Sequence, residues 1–213
     1  MPKLADRDLE KWEYTLHTRI KHKILMQYLR PWLTILGSDG GSLVYVDAFA
    51  GRGRYSTGQS GSPLLVLDLI RDELSRPSAK LTQVICHFIE SDSTNFANLQ
   101  SELAKHPAKA DPRISCQPHQ STFSGVSDEI LSEIRRLRRP SFFFLDPFGY
   151  DDPTMDVLGA VIQLPHAEML INLMYNFATR ALSITNNPAL ANTLDVPVHG
   201  LWAAGARREL PGA

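Results

Sequence analysis

Residues 142–152 read FFFLDPFGYDD. Apolar side chains run straight into an acid, a proline, a ring and a glycine: Asp146, Pro147, Phe148 and Gly149. An acid that emerges from a buried strand accepts hydrogen bonds. A proline fixes the turn and withholds an N–H, and a ring stacks on a flat group. That set gathers an acceptor, a rigid turn and a ring at one strand end, with Tyr150 as a second ring. Other polar residues stand where apolar runs stop. In VDAFAGRGRY, Asp47 is followed by Phe49, Gly51 and Gly53, and glycines let a backbone turn tightly and come close to a ligand. QVICHFIE ends in Glu90, where a nucleoside-type cofactor needs an acceptor for its ribose hydroxyls. Asp92, just behind, reads as a helix cap. Gln117, His119, Gln120 and Ser121 follow a third run, at the place where an adenine ring would be held.

Asp47, Glu90 and Asp146 at successive strand ends crowd one edge with like charge, which costs stability unless a ligand or hydrogen bonds answer it. The ligand that fits is narrowed by what is missing. GRGRYS has no third glycine, and Glu90 lies well beyond the usual ~20 residues of a dinucleotide site. No GK[ST] phosphate loop is present. What remains is a cofactor with a ribose and an adenine but no phosphate, and S-adenosylmethionine is the candidate.

These residues are set on alternating elements. Residues 6–36 form one long helix or two consecutive ones: Ile20, Ile24, Leu25, Tyr28, Leu29, Trp32, Leu33 and Leu36 recur at spacings of three and four and make one apolar face. Pro31 is expected to kink or split it. Strands follow at SLVYVDAF, QVICHFIE, PRISCQ, SFFFLD and AEMLINLMYN. Helices lie between them, one opened by Ser62 as cap with Pro63 and another by Asp152 as cap with Pro153. Such alternation predicts an α/β fold with a mainly parallel sheet covered on both faces, in which ligands bind beyond the carboxyl ends of the strands.

The 213 residues suit one domain, and 43% hydrophobic and 21% charged residues are ordinary for a globular chain. A net charge of −1 gives no global field towards nucleic acid or membrane, so any nucleic-acid contact is a local patch. No apolar run approaches the ~20 residues that span a bilayer. The N-terminus has no apolar core of a signal peptide. Cys86 and Cys116, far apart in sequence, read as buried reduced thiols of a cytoplasmic protein.

The stretches KHKILMQYLRPW, VYVDAFAGRGRYSTGQSGSPLLVL, FIESD and FFFLDPFG, in that order, resemble the three-Cys-motif partner protein family over most of the chain. The resemblance implies a Rossmann-like three-layer sandwich of the class I methyltransferase type. Residues 1–40 are then an N-terminal helical extension, 41–187 the cofactor-binding domain, and 188–213 an unassigned tail, consistent with a truncated chain. DAFAGRG is similar to the first cofactor motif of methyltransferases, D-x-F-x-G-x-G, which implies cofactor contacts at Asp47, Phe49, Gly51 and Gly53. Glu90 corresponds to the ribose-binding acid, and Ser121 joins the cofactor set. LDPFG looks like the amino-methyltransferase motif [D/N/S]-P-P-[Y/F/W]. This chain has one proline where that motif has two, and Phe148 comes one place early.

The expected activity is S-adenosylmethionine-dependent methylation of an exocyclic amine of a nucleobase in single-stranded or looped nucleic acid, with a protein partner also in view and no membrane. Two alternatives stay open: a non-catalytic cofactor-binding partner subunit, and a metal-dependent phosphoesterase using the strand-end carboxylates. RIKHK, residues 19–23, reads as solvated helix charge or as a contact for substrate or the cofactor carboxylate. Tyr55 is a further ligand candidate. His22 and His119 are acid–base candidates with no spacing motif behind them.

Overall fold

The structure is a computed structural model and describes residues 14–147 and 152–172. Phe148, Gly149, Tyr150 and the tail from 188 lie outside the described residues. The elements run α1 (Leu16–Leu36), β1 (Gly41–Asp47), α2 (Ser62–Leu74), β2 (Leu81–Glu90), α3 (Ser93–Lys105), β3 (Ile114–Gln120), α4 (Phe123–Leu137), β4 (Ser141–Leu145), α5 (Met155–Ile162) and β5 (Ala167–Ile171). All neighbouring strands are parallel, in the order β3-β2-β1-β4-β5. This is the Rossmann-like three-layer arrangement.

The continuous apolar runs are explained by burial on both faces. Leu43 and Tyr45 of β1, Phe142 and Phe144 of β4, and Val84, Cys86 and Phe88 of β2 enter one core with α1, α2 and α3. Val44, Val46, Phe143, Leu145, Ile85 and Ile89 enter the other with α4 and α5. Tyr45 and Phe142 stack across the β1–β4 pair at 6.2 Å, and Trp32 of α1 meets Phe142 edge-on. Cys86 and Cys116, distant in sequence, are register partners on β2 and β3, and both are free thiols.

α1 is a single helix that passes through Pro31. Its apolar residues do not share one face. Leu25, Leu29, Trp32 and Leu33 are buried, whereas Ile20 and Ile24 are 48% and 50% exposed and Tyr28 is also half exposed. The three-and-four spacing covers too wide an arc for one contact surface. The buried stripe makes α1 part of the same core as β1 and β4. The Arg30–Glu73 ion pair at 3.1 Å, with Thr34 on the other Glu73 oxygen, then fixes it to α2.

Two helix starts differ from the sequence expectation. Gly61 is the N-cap of α2, and Ser62 is the first helical residue. Thr154 caps α5, its hydroxyl accepting from the Val157 N–H. Asp152 instead reaches across to the start of α4 and accepts from the Phe123 and Ser124 N–H groups at 2.8 and 2.9 Å. The preference of Ser and Asp for caps was legible, but a stronger partner elsewhere took each side chain. No helix among the described residues is long and apolar enough to cross a membrane.

The division within α1 sets an expectation. Leu29→Ala should cost about 2–5 kcal/mol in urea denaturation, while Ile24→Ala, on the exposed row of the same helix, should cost under about 1 kcal/mol. Equal losses would show that the exposed row is packed as well.

Candidate functional site

Strand order runs outward from β1 to β2 and β3, then returns to the other side of β1 with β4. The crevice at that reversal lies beyond the carboxyl ends of β1 and β4, the usual ligand position in such sheets. Asp47 closes β1, and Asp146 directly follows β4. The loop after β1 turns at Gly51 and Gly53, with φ of +63° and +82°, values that favour glycine. It then doubles back: Arg54 and Ser60 pair antiparallel, and the Gly61 N–H donates to the Gly53 carbonyl at 2.8 Å. A small, open pocket lies here between His22, residues 49–55, Gly61, Ser62 and Asp146.

Asp47 stands behind this wall. It is fully buried and is not itself a lining residue. Its Oδ2 accepts from the Ser62 hydroxyl at 2.7 Å, and its Oδ1 accepts from the Phe49 N–H at 3.3 Å. Asp47 thus holds the pocket wall from behind, through Ser62 and Phe49. Burial raises its carboxyl to about 7; the two hydrogen bonds pull back, and the charges of Asp146 and Glu90 push further up.

Asp146 has its charge answered differently. Lys21 of α1 meets Oδ2 at 2.6 Å, and the Asn172 side-chain amide donates to Oδ1 at 2.7 Å. Lys21 and Asn172 are contributions that motif reading missed. RIKHK was visible as a charged run, but only the crossing of α1 over the end of β4 selects Lys21 from it. Next to Lys21, His22 is 5% exposed, packed against the rings of Tyr14 and Tyr55 at centroid distances of 5.6 and 5.9 Å. Burial, then Lys21, lowers its pKa to about 4, against a smaller upward pull from Asp146. Its Nδ1 is buried without a hydrogen-bond partner among the described residues.

Glu90 ends β2 one strand away and is half-buried, with Oε1 accepting from the Asp92 N–H at 2.7 Å. Burial raises its pKa, opposed by backbone N–H groups of Asp92, Ser91 and Gly51. Asp92 caps α3 as expected, accepting from the Asn95 N–H. The Ser121 N–H donates to the Glu90 carbonyl at 3.2 Å, so Ser121 adjoins Glu90, though neither lines the pocket. Phe49 and Gly51 do line it. Gly53 lines it too, but a Cβ there would lie 3.3 Å from Glu102 Cβ and 3.4 Å from Leu99 Cδ1, so packing against α3 also demands this glycine. Pro147 is half-buried beside Asp146.

One group of expected contacts is redistributed. β3 extends through Gln120, so Gln117, His119 and Gln120 are strand residues and do not follow the strand. His119 Nε2 meets His87 Nδ1 at 3.1 Å, on the side of the sheet covered by α4. The weak apolar character of β3, which alternates with polar residues at the sheet edge, concealed its true end. Among the described residues no group of three or more His, Cys, Asp or Glu side chains is placed to hold a metal ion. No protein-family model and no curated protein matches the chain, so the resemblance stated above stands on its motifs alone.

The Asp47 environment has a measurable consequence. A carboxyl raised from 3.8 to about 7 in the folded protein stabilises fully below the unfolded value, and that contribution is lost as pH rises through about 7. Asp47→Asn removes this dependence. Relative to wild type, the variant should gain about 4 kcal/mol between about pH 4 and pH 8, read from denaturant midpoints at each pH. A pH-independent difference would show that Asp47 is ionised throughout. Taking the difference cancels the histidines, which titrate in both proteins.

Proposed function

We propose that the chain is an S-adenosylmethionine-dependent methyltransferase acting on a planar amine, the exocyclic amine of a nucleobase in single-stranded or looped nucleic acid. One observation carries the reading: the glycine turn and the Asp47 and Asp146 carboxylates meet at the reversal of strand order, with Glu90 at the next strand end. The cofactor would supply a methyl group on a cationic sulfonium, and the site has the complementary features. Glu90 offers an acceptor for ribose hydroxyls. The turn at Gly51 allows close approach of backbone. Asp146 in the lining, and Asp47 behind the wall once it ionises above about 7, favour positive charge against Lys21, Arg52 and Arg54. His22, whose buried Nδ1 has no hydrogen-bond partner among the described residues, also lines the pocket.

In this reading Lys21 and Asn172 orient the Asp146 carboxylate, which accepts an N–H of the acceptor amine. Pro147 fixes the turn that follows. Orientation of this kind is a large part of the acceleration of a bimolecular transfer. A base inside a duplex would first have to leave the stack, which favours single strands. The motif resemblance supports the same class. The metal-dependent phosphoesterase alternative finds no ligand set among the described residues, whereas a non-catalytic subunit would keep the cofactor site without the transfer.

Calorimetric titration separates these readings. S-adenosylmethionine and S-adenosylhomocysteine should bind, and ATP with Mg²⁺ should not. Glu90→Ala should weaken the first two by about 1–3 kcal/mol, the range for hydrogen bonds to a charged acceptor. Binding of ATP with Mg²⁺ alone would overturn the proposal. Tight cofactor binding with no radiolabel transferred to RNA, DNA or protein pools would favour the partner subunit.

A further inference from the structure

We propose that His22 is the proton acceptor of this site, taking the proton that a bound amine gives up. The inference rests on the methyl-transfer reading and assigns it a residue. Positioning by Asp146 does not dispose of the proton. When the amine nitrogen bonds the methyl carbon, the pair of the methyl–sulfur bond stays with sulfur and the nitrogen becomes cationic, so one N–H proton must leave. His22 receives it and becomes imidazolium.

The choice follows from the side chains that line the pocket. Arg52 and Arg54 carry no lone pair for a proton. Tyr55 holds its own proton, since burial pushes its pKa further up. Asp146, held by Lys21 and Asn172, is assigned the orienting bond to the amine. The Ser62 hydroxyl donates to Asp47, which is itself enclosed behind the wall. His22 remains, a buried ring whose Nδ1 has no partner among the described residues. An orphaned buried nitrogen of this kind costs stability, and a ligand group that reaches it would relieve that cost.

The groups that face His22 fit the role. Lys21 lies beside it on α1 and Asp146 at the end of β4. Tyr14 and Tyr55 enclose the ring from before α1 and from the loop after β1. Burial, and then the lysine ammonium, keep the imidazole neutral, with its lone pair available, at ordinary pH. A weak base is sufficient here. A nucleobase amine that has gained a methyl and a charge is strongly acidic, because its lone pair belongs to the ring. Once imidazolium forms, the Asp146 carboxylate stabilises it.

The test uses the full chain and two readouts. In the first, long-range ¹H–¹⁵N spectra of protein saturated with S-adenosylhomocysteine are followed while cytidine or adenosine is added, with His22→Asn assigning the signals. The His22 nitrogens should shift on addition of nucleoside. In the second, transfer to single-stranded RNA and DNA is measured. His22→Asn and His22→Gln should lose about 100-fold or more in kcat with cofactor affinity retained, and added imidazole should restore part of the rate. Wild-type kcat should hold steady from about pH 8 to about pH 5 and fall below that, as a base near 4 is protonated. Wild type that transfers while His22→Asn keeps its kcat overturns the inference and leaves the methyltransferase reading intact. His22 signals unmoved by nucleosides in cofactor-loaded protein also overturn it. Wild type that binds no S-adenosylmethionine overturns the parent reading, and the inference with it.

Discussion

Two carboxylates on adjacent parallel strand ends cannot both be ionised and bare in a half-buried crevice. The local structure around the β1–β4 reversal is organised by that constraint, and each acid meets it differently. Asp47 is fully buried, bonded to Ser62 and Phe49, and holds its proton up to about 7. Asp146 is compensated by Lys21 and Asn172. Glu90, one strand further on, is served by backbone N–H groups of the turns around it. The position of α1 is tied to this. Its buried stripe packs it on the sheet, and its first turns deliver Lys21 and His22 to the strand ends.

The loop from Ala48 to Gly61 converts this electrostatic arrangement into a shaped pocket. Gly51 and Gly53 adopt φ values that favour glycine, and the return through Arg54, Ser60 and Gly61 folds the loop onto its own base. Arg54 anchors it to Glu102 of α3 at 2.8 Å, while Tyr55 leans on His22 and Tyr14. The wall is therefore fixed at three points: to Asp47 through Ser62, to α3 through Arg54, and to α1 through aromatic contact. Preorganisation of this kind lowers the ordering cost of binding.

Much of the fold was legible because burial on both faces leaves a simple mark, a continuous apolar run, and SFFFL and SLVYV carry it plainly. The strand-end acids were legible for the same reason, since Asp47 and Asp146 interrupt such runs. What was not legible depends on partners distant in sequence. Ser62 has the composition of a cap, yet Asp47, fifteen positions earlier, takes its hydroxyl. Asp152 has the composition of a cap too, and it serves α4 rather than α5. His119 looked like a loop residue because β3 is polar in alternate positions, and its place in the strand is fixed by pairing with β2. Lys21, His22 and Asn172 belong to the site only through the crossing of α1 and the β4–β5 pairing, which no local pattern encodes.

The proposed function has this crevice receive a cationic cofactor against carboxylates that the protein itself partly neutralises. Calorimetry of S-adenosylmethionine binding at about pH 6.5, in buffers of different ionisation enthalpy, tests that claim most directly. A positive ligand charge beside Asp47 favours its ionised form, so binding should release a proton, at most about one, and Asp47→Asn should abolish the release without abolishing binding. A binding heat that is the same in every buffer, or a release that persists in Asp47→Asn, would contradict the account.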